Sequence, residues 1–276
     1  MTGQEARQAP LVSVIIPTFN RPEEVRNAVQ SVAKQTLQSL EIIVVNDGGF
    51  DLSEIIKEIN DSRLVYICHD HNKGVSAARN TGIHRARGRY LSFLDDDDVF
   101  YEQHLQTVLQ CIEERAESVV YSDSLELTQE CIGSELVTHS REVKYSRDFN
   151  RGWLYINNLA PPLCFLLERE LLRDGTCFDE SLAAHEDWWF WIQLSRKSSF
   201  FHLAEVTCEY INRVDKASLS KNTQDMLDTL IEVYARTEHE IANHPAIVQR
   251  RRQLVEHLRE KWTNSVHSAA QTDKTV

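Results

Sequence analysis

The sequence of 276 residues lacks the features by which membrane, secreted and zinc-binding proteins are usually recognised. It has no run approaching the roughly 20 apolar residues of a membrane span, and its polar first ten residues do not resemble a signal peptide. No C-x-x-C pair occurs, which argues against a zinc site and favours reduced, mostly buried thiols. The six cysteines are Cys68, Cys111, Cys131, Cys164, Cys177 and Cys208. Together these absences predict a cytoplasmic protein.

Positive charge is also scarce, because 30 lysines and arginines are opposed by 42 aspartates and glutamates. The formal net charge of −12 argues against binding of nucleic acid by the body of the protein. Hydrophobic residues make up 42% and charged residues 26% of the chain, which is ordinary for a folded globular protein. The length allows one large domain with an appendage, or two small domains.

Strands and helices alternate in the first third of the chain. Residues 11–17, 41–45 and 64–67 are short apolar, β-branched runs that are typical of buried strands. Helical patterns with one apolar face lie between them, and the first opens at Asn20 and Pro22. This order predicts an α/β fold with a mostly parallel sheet flanked by helices.

Four consecutive aspartates, Asp95 to Asp98, directly follow an apolar strand at residues 90–94. Carboxylates ~4 Å apart repel by roughly 4 kcal/mol at an effective dielectric constant near 20, so a fold must neutralise or hydrate such a cluster. A solvated acidic turn is the simpler interpretation. Open α/β sheets, however, bind ligands at the carboxyl ends of their strands, and oxygen ligands suit Mg²⁺ or Mn²⁺ bridging to a phosphate. The sequence therefore favours a divalent-metal site here.

A charged residue lies on the inward face of the third predicted helix, which covers residues 72–86. Arg79 falls in the middle of that apolar face, and burial of an unpaired guanidinium is prohibitive. We therefore expect it close to carboxylates such as Asp47 or Asp95, either as a purely structural ion pair or as part of a substrate site. Gly82, on the same face, is expected to allow close packing of the helix on the sheet.

Two acids and three tryptophans occur together in residues 185–194. Glu186 and Asp187 stand in the first turn of a predicted helix, where each would complement the helix dipole by about 0.3–1 kcal/mol. That interpretation explains either acid singly but leaves the aromatic residues behind them unexplained. A carboxylate backed by aromatic rings is a common way to build a sugar pocket, so Trp188 and Trp191 are predicted to line one. A functional role is favoured more strongly for Asp187 than for Glu186.

The second half of the chain is less regular. Residues 124–144 are expected to form a hairpin or an irregular excursion over the sheet, and residues 161–167 a buried strand behind a proline pair. Amphipathic patterns predict a helical extension over residues 223–264, with arginines 250–252 on a solvated face or in contact with anionic lipid. Residues 265–276 are small and polar, and we expect them to be disordered.

Five motifs, in their order and at their intervals, resemble those of family-2 glycosyltransferases. They are residues 12–20 (VSVIIPTFN), 44–48 (VVNDG), 74–82 (GVSAARNTG), 90–98 (YLSFLDDDD) and 186–187 (ED). The resemblance covers about residues 11–220. It implies an inverting, metal-dependent enzyme of the GT-A fold, with a glycosyltransferase domain over residues 1–222. That domain would comprise a nucleotide-binding half (11–123) and an acceptor-side half (124–222).

The resemblance also implies roles for individual residues. Asp47 would accept a hydrogen bond from the base, and Asp96 or Asp95 would contact the ribose. The full set of implied nucleotide-binding residues is Pro17, Thr18, Phe19, Asn20, Asp47, Lys73, Arg79, Asp95 and Asp96. Asp97 closes the D-x-D motif and would hold Mn²⁺ or Mg²⁺ together with Asp95. Asp187 would be the general base, kept ionised by the helix dipole, with Glu186 as the second candidate.

One segment departs from the family pattern. Many relatives carry a histidine after the last strand, at the position where Asp215 stands here. A carboxylate there could ligate a hard cation, repel the diphosphate or be simply solvated. A loop that orders over the nucleotide when metal is bound is favoured, which makes Asp215 the third candidate metal ligand.

The expected reaction is the transfer of a sugar from a nucleotide-sugar donor to a hydroxyl group of a saccharide, lipid-linked or protein acceptor, as in polysaccharide biosynthesis. Uracil suits Asp47 because its ring N–H is a hydrogen-bond donor, while thymine and guanine remain alternatives. The C-terminal helices are a candidate surface for peripheral membrane contact or oligomerisation.

Two other classes of protein share parts of this pattern. A sugar-phosphate nucleotidyltransferase predicts a Gly-rich, basic loop after the first strand, where this chain has residues 17–20 (PTFN). A catalytically idle module that binds nucleotide sugars predicts loss of the carboxylates, and all of them are present. Both classes are therefore disfavoured.

Overall fold

The protein is represented by a computed structural model, which describes residues 9–133, 135–214 and 223–272. In the first part of the chain, strands and helices alternate as predicted. These elements are β1 Val12–Thr18, α1 Pro22–Ala33, β2 Leu40–Asn46, α2 Ser53–Ile59, β3 Leu64–Cys68, α3 Val75–Arg85 and β4 Tyr90–Phe93. The strands β1 and β2 are buried over their whole length because near-continuous apolar runs are covered on both faces.

The second part of the chain mixes long strands with short helices. Its elements are β5 Val99–Phe100, α4 His104–Glu113, β6 Val119–Ile132, β7 Glu135–Val143, α5 Arg151–Leu154, β8 Phe165–Glu168, α6 Glu186–Ser195 and β9 Phe200–Arg213. Antiparallel pairing of β6 with β7 gives the hairpin predicted for residues 124–144. The strand predicted for residues 161–167 is shorter than expected. Pro162–Cys164 form a 3₁₀ turn, because prolines cannot donate to a strand ladder.

All these strands join one sheet in the order β3-β2-β1-β4-β8-β6-β9-β5, with β7 beside β6. Strands β1 to β4 are parallel, as predicted, whereas β8 runs antiparallel to both β4 and β6. The predicted α/β fold with a helix-flanked sheet is confirmed. Since β1, β2 and β4 point the same way, their carboxyl ends meet at one edge of the sheet.

Gly82 lets α3 approach the sheet closely. A Cβ atom at this position would lie 2.4 Å from Cγ2 of Ile15 on β1. This confirms the predicted packing role of the glycine. The close approach also fixes the height of α3 over the sheet, and therefore the position of Arg79 one turn earlier.

The six cysteines are free thiols, as predicted. Burial was expected for most of them, but Cys68, Cys131 and Cys177 are exposed.

The helical extension consists of α7 Thr223–Arg236, α8 Glu238–Ile241 and α9 Pro245–Thr272. Leu227, Leu230 and Tyr234 are buried against the body of the protein. Helix α9 continues to Thr272, beyond residue 264, where the helical extension was expected to end. In the described part of the chain, no helix has the length and apolar character needed to cross a bilayer.

The arginines of α9 do not share one environment. Arg250 and Arg252 are exposed, as predicted, but Arg251 is 5% exposed. Its Nε donates to the Tyr155 carbonyl oxygen at 2.6 Å, and its Nη1 and Nη2 donate to Tyr234 O at 3.0 Å and Thr237 Oγ1 at 2.6 Å. The prediction of a solvated face is therefore wrong for Arg251, because the helical periodicity turns this one position of the three inward.

Candidate active site

Thr18 and Asp96 join the ends of β1 and β4. The carboxyl group of Asp96 is buried and accepts hydrogen bonds from the Thr18 hydroxyl at 2.7 Å and from Nη1 of Arg21 at 2.9 Å. Burial raises the pKa of Asp96 to about 6, although Arg21 and Thr18 act in the opposite direction. The structure thus brings together two residues predicted to bind the nucleotide, and it adds Arg21 to them.

The next two aspartates have different environments. Asp97 is half-buried, and its Oδ2 lies 2.8 Å from Nη1 of Arg21. Burial and repulsion from Asp95 raise the pKa of Asp97. Asp98 is buried and accepts the backbone N–H of Ile211 at 2.9 Å, so it anchors β9. Asp97 is therefore the more accessible of the two.

The predicted metal ligands Asp95 and Asp97 fit a divalent cation by their chemistry. Both supply hard oxygen atoms, and a cation would relieve the repulsion that raises the pKa of Asp97. Within residues 9–133, 135–214 and 223–272, no three His, Cys, Asp or Glu side chains converge as a set that could hold a metal ion. The third candidate ligand, Asp215, lies outside the described residues.

Arg79 links the end of β4 to the start of α6. It is 2% exposed, and its Nη2 lies 2.7 Å from Asp95 Oδ1 while its Nη1 lies 2.8 Å from Glu186 Oε1. Burial alone would lower the pKa of Arg79, but the two carboxylates raise it. Of the two expected partners, Asp95 is the one that Arg79 contacts. Because Arg79 holds Glu186, the second candidate base is already ion-paired.

Asp187 is held by hydrogen bonds instead of an ion pair. Its Oδ2 accepts from Nδ2 of Asn158 at 2.8 Å, and its Oδ1 accepts from the backbone N–H of Trp188 at 2.6 Å. Burial and repulsion from Glu186 raise the pKa of Asp187 to about 7, while Arg79 and the hydrogen bonds lower it. The helix dipole was expected to keep this group fully ionised, but burial outweighs it. The carboxyl group can therefore exchange a proton near neutral pH.

We call the six carboxyl groups of Asp95–Asp98, Glu186 and Asp187 the acidic edge. Arg21 and Arg79 are the guanidinium groups that contact it in the described part of the chain. Carboxyl groups thus outnumber arginines by six to two. Burial and repulsion within this cluster raise the pKa values of Asp96, Asp97 and Asp187, and the excess of negative charge would also attract an external cation.

Trp188 and Trp191 do not line a pocket. They are 1% and 0% exposed, the Trp188 Nε1–H donates to the Leu154 carbonyl oxygen at 2.7 Å, and the Trp191 ring stacks on Phe165 with 3.8 Å between centroids. The prediction of a sugar pocket walled by these rings is therefore wrong. Their spacing of three residues places both on the face of α6 that packs on the core.

Asp47 lies at the same edge of the sheet but is not open to a ligand. Its Oδ1 accepts from the His69 ring at 2.7 Å and from the Lys73 N–H at 3.0 Å, and its Oδ2 accepts from the Gly74 N–H at 2.7 Å. The carboxylate therefore fixes the turn that begins α3, and direct contact with a base would require this arrangement to open. The Lys73 ammonium group faces outward and lies 3.2 Å from Asp70 Oδ1.

The loop after β1 presents an aromatic surface. Pro17 is buried within the strand, while the Phe19 ring is exposed. Asn20 adopts a left-handed conformation with φ 56°, and its Oδ1 accepts the backbone N–H of Phe50 at 2.9 Å. Phe50 itself is 68% exposed. An exposed ring on a backbone fixed in this way can stack on a planar ligand.

Four residues at this edge were not predicted from sequence: Arg21, Phe50, His69 and Asn158. His69 directly follows β3, and Arg21 and Phe50 lie in the loops just after β1 and β2, so a position near a strand end was a usable signal for them. Asn158 lies on an irregular segment between α5 and β8, and no local pattern connects it with Asp187.

Solved structures share this fold. The crystal structure of S. aureus TarS residues 1–349 with UDP-GlcNAc superposes with a TM-score of 0.66 at 20% identity, over 82% of this chain and 66% of that one. The mannosyltransferase PcManGT of Pyrobaculum calidifontis, solved with GDP-Man and Mn²⁺, gives 0.63 at 18% identity, over 84% and 65%. The protein therefore has the GT-A fold.

Sequence comparison identifies the family. The model of Glycosyl transferase family 2 matches residues 13–175, and the chain belongs to that family. An uncharacterized glycosyltransferase of Rickettsia bellii is 31% identical over 207 residues, which are 72% of this chain but 28% of that relative. The Escherichia coli enzyme WfgD, a UDP-Glc:alpha-D-GlcNAc-diphosphoundecaprenol beta-1,3-glucosyltransferase, is 26% identical over 216 residues, covering 77% of this chain and 80% of that one.

Proposed function

We propose that this protein is an inverting glycosyltransferase that moves a sugar from a nucleoside-diphosphate donor to an acceptor hydroxyl group. The observation that carries the proposal is the state of Asp187. Its pKa of about 7 suits a general base at neutral pH, and Asn158 orients it. Through Glu186 and Arg79 it is joined to Asp95 at the end of β4, where the donor would bind.

The reaction is a single displacement. Asp187 accepts the proton of the acceptor hydroxyl group, and the oxygen forms a bond to the anomeric carbon. The bond from that carbon to the diphosphate oxygen breaks at the same time, so the nucleoside diphosphate leaves with the electron pair and the configuration inverts. Glu186 stays paired with Arg79. Its negative charge raises the pKa of Asp187, which makes Asp187 a stronger base.

The donor we propose is a uridine diphosphate sugar. WfgD acts on UDP-Glc and TarS was solved with UDP-GlcNAc, which supports this nucleotide. Thr18 and Asp96 would contact the ribose, and the exposed rings of Phe19 and Phe50 would stack on the base; the Thr18–Asp96 hydrogen bond and the exposure of the rings support this assignment. Asp47 would contribute indirectly to donor binding, by fixing the turn at Lys73 and Gly74.

The cation we propose is Mn²⁺ or Mg²⁺, held by Asp97 and Asp95, with Asp215 as a further candidate ligand. When bound, it would neutralise the charge of the leaving diphosphate. The Mn²⁺ in the PcManGT structure supports this choice.

The acceptor we propose is a lipid-linked saccharide, supported by the acceptor named for WfgD. The exposed Arg250 and Arg252 could then bring α9 to an anionic membrane surface.

The test measures release of UDP from UDP-glucose and UDP-GlcNAc, with GDP-mannose as the competing donor class. Each donor is assayed with Mn²⁺ and with a chelator. We expect UDP release that requires the metal and is lost in Asp187→Asn. The matched control is Asp148→Asn, the same chemical change at an exposed carboxylate. Equal activity in Asp187→Asn and in the control would refute the assigned base. A UDP affinity that the chelator does not change would refute the proposed metal site.

A further inference from the structure

Arg21 lies at the part of the acidic edge where the charged diphosphate of the donor is expected to bind. One nitrogen, Nη1, contacts two adjacent carboxylates, at 2.9 Å from Asp96 Oδ1 and 2.8 Å from Asp97 Oδ2. Asp97 is also the carboxylate assigned to the divalent cation. Two cations that share one carboxylate repel each other, so Arg21 and a metal ion compete for Asp97.

The side chain of Arg21 is able to change partners. It is 33% exposed and extends from the residue directly before α1. Its other N–H groups form no hydrogen bond with any residue that the structure describes. A guanidinium presents a planar fork of donors that matches phosphate oxygens in two parallel hydrogen bonds. It can therefore leave Asp97 and still find a strong acceptor, if that acceptor is a diphosphate.

We propose that Arg21 is a positioning residue that exchanges a carboxylate for the donor's diphosphate. Without donor, it neutralises Asp96 and Asp97 in place of a metal ion. With donor and metal bound, it turns from Asp97 to the diphosphate oxygens and stays close to Asp96. The inference rests on the proposed donor site and adds to it an order of events: the metal binds poorly until the diphosphate draws Arg21 away.

The exchange predicts effects of opposite sign from one substitution. Arg21→Gln removes the competitor, so binding of Mn²⁺ alone should tighten by about tenfold, while binding of UDP in the presence of Mn²⁺ should weaken by about tenfold. Arg26→Gln is the matched control. It removes one positive charge from α1, which Arg21 directly precedes, at an arginine that pairs with Glu58 at 2.8 Å outside the site. We expect this control to change neither affinity.

The experiment measures Mn²⁺ binding by electron paramagnetic resonance without nucleotide, and UDP binding by calorimetry with saturating Mn²⁺. Melting curves verify that each variant is folded. Arg21→Lys retains the charge and should leave the affinity for Mn²⁺ alone within about twofold of the unmodified protein.

The outcomes separate the two proposals. If the unmodified protein fails to bind UDP with Mn²⁺, the donor site itself is wrong. If it binds UDP but Arg21→Gln binds Mn²⁺ alone no more tightly, Arg21 is no competitor and the exchange is overturned. Unchanged UDP affinity in Arg21→Gln, or equal tightening in Arg21→Lys, overturns it as well.

Discussion

The acidic edge and the C-terminal helices each bury one arginine, but they stabilise it differently. Arg79 lies between the carboxylates of Asp95 and Glu186, which raise its pKa against the effect of burial. Arg251 donates to two carbonyl oxygens and a hydroxyl, and burial lowers its pKa. Side chains of the same type therefore have opposite pKa shifts in the two regions.

This difference distinguishes a functional site from a purely structural contact. Around Arg251 the hydrogen bonds to the described residues all go to neutral acceptors, so these donors are satisfied without a ligand. At the acidic edge carboxyl groups exceed arginines, and burial together with repulsion between neighbouring carboxylates raises the pKa values of Asp96 and Asp187. Such an arrangement becomes more stable when it gains a cation, and its carboxyl groups of raised pKa can exchange protons in a reaction.

The largest expected effect is on turnover, from Asp187→Asn. The amide keeps the shape of the side chain but cannot accept the acceptor's proton. We expect turnover to fall by roughly 10²–10⁴, with donor affinity nearly unchanged, because base catalysis acts only in the transition state. Single-turnover rates and UDP affinity, measured on the same preparation, check this. Normal turnover would mean that another residue is the general base and that Asp187 has only a structural role.

Arg79→Ala should disrupt both stability and donor binding. It leaves Asp95 and Glu186 without their cation, at a cost of about 3–5 kcal/mol in the free energy of unfolding. UDP affinity should fall as well, since Asp95 is then free to move away from the donor. Urea unfolding and calorimetry measure the two effects. An unchanged melting temperature would contradict the ion pairs seen here.

Arg251→Ala should affect stability alone, and by less. It leaves neutral acceptors without a donor, for which we expect a loss of about 2–3 kcal/mol. Turnover per folded molecule should stay the same. The matched control is Arg252→Ala at the exposed neighbouring position, which should be nearly neutral. Reduced turnover in Arg251→Ala, at a temperature where the variant is folded, would show that α9 contributes to the active site.

Sequence reasoning was most successful where local pattern and topology agree. The strands β1 to β4, the packing of Gly82 on Ile15 and the burial of Arg79 all follow from runs and periodicities within short segments. It failed where residue type was given more weight than the position on the helix. Trp188, Trp191 and Arg251 were assigned to function or solvent by residue type, although their positions on the helix place them in the core.

Asn158 marks the limit of what sequence could reveal. It meets Asp187 across 29 positions of chain, on a segment without periodicity, so its contact depends on tertiary packing alone. The pKa of Asp187 could not be predicted from the sequence for the same reason. Burial and the neighbouring Glu186 decide it, and neither can be estimated before the surroundings of the carboxyl group are known.

The smallest effect predicted is a shift of the pH profile on substitution of Asn158. Asp187 acts as a base only when ionised, so activity of the unmodified protein should rise with pH through about 7. Because this pKa is raised above that of a free carboxyl group, the stability that the protonated form contributes is lost as pH rises through the same value. Activity should therefore increase where stability decreases.

Asn158→Ala removes a donor that favours the ionised form of Asp187. The rising limb of the pH profile should then move to higher pH by about one unit, with the plateau nearly unchanged. Initial rates from pH 5 to 9, an interval of about two units on either side of that pKa, show the shift. The matched control is Asn243→Ala, the same change at an exposed position between α8 and α9. A profile that loses height at every pH without moving would mean that Asn158 positions the acceptor, and that the pKa of Asp187 depends on burial and Glu186 alone.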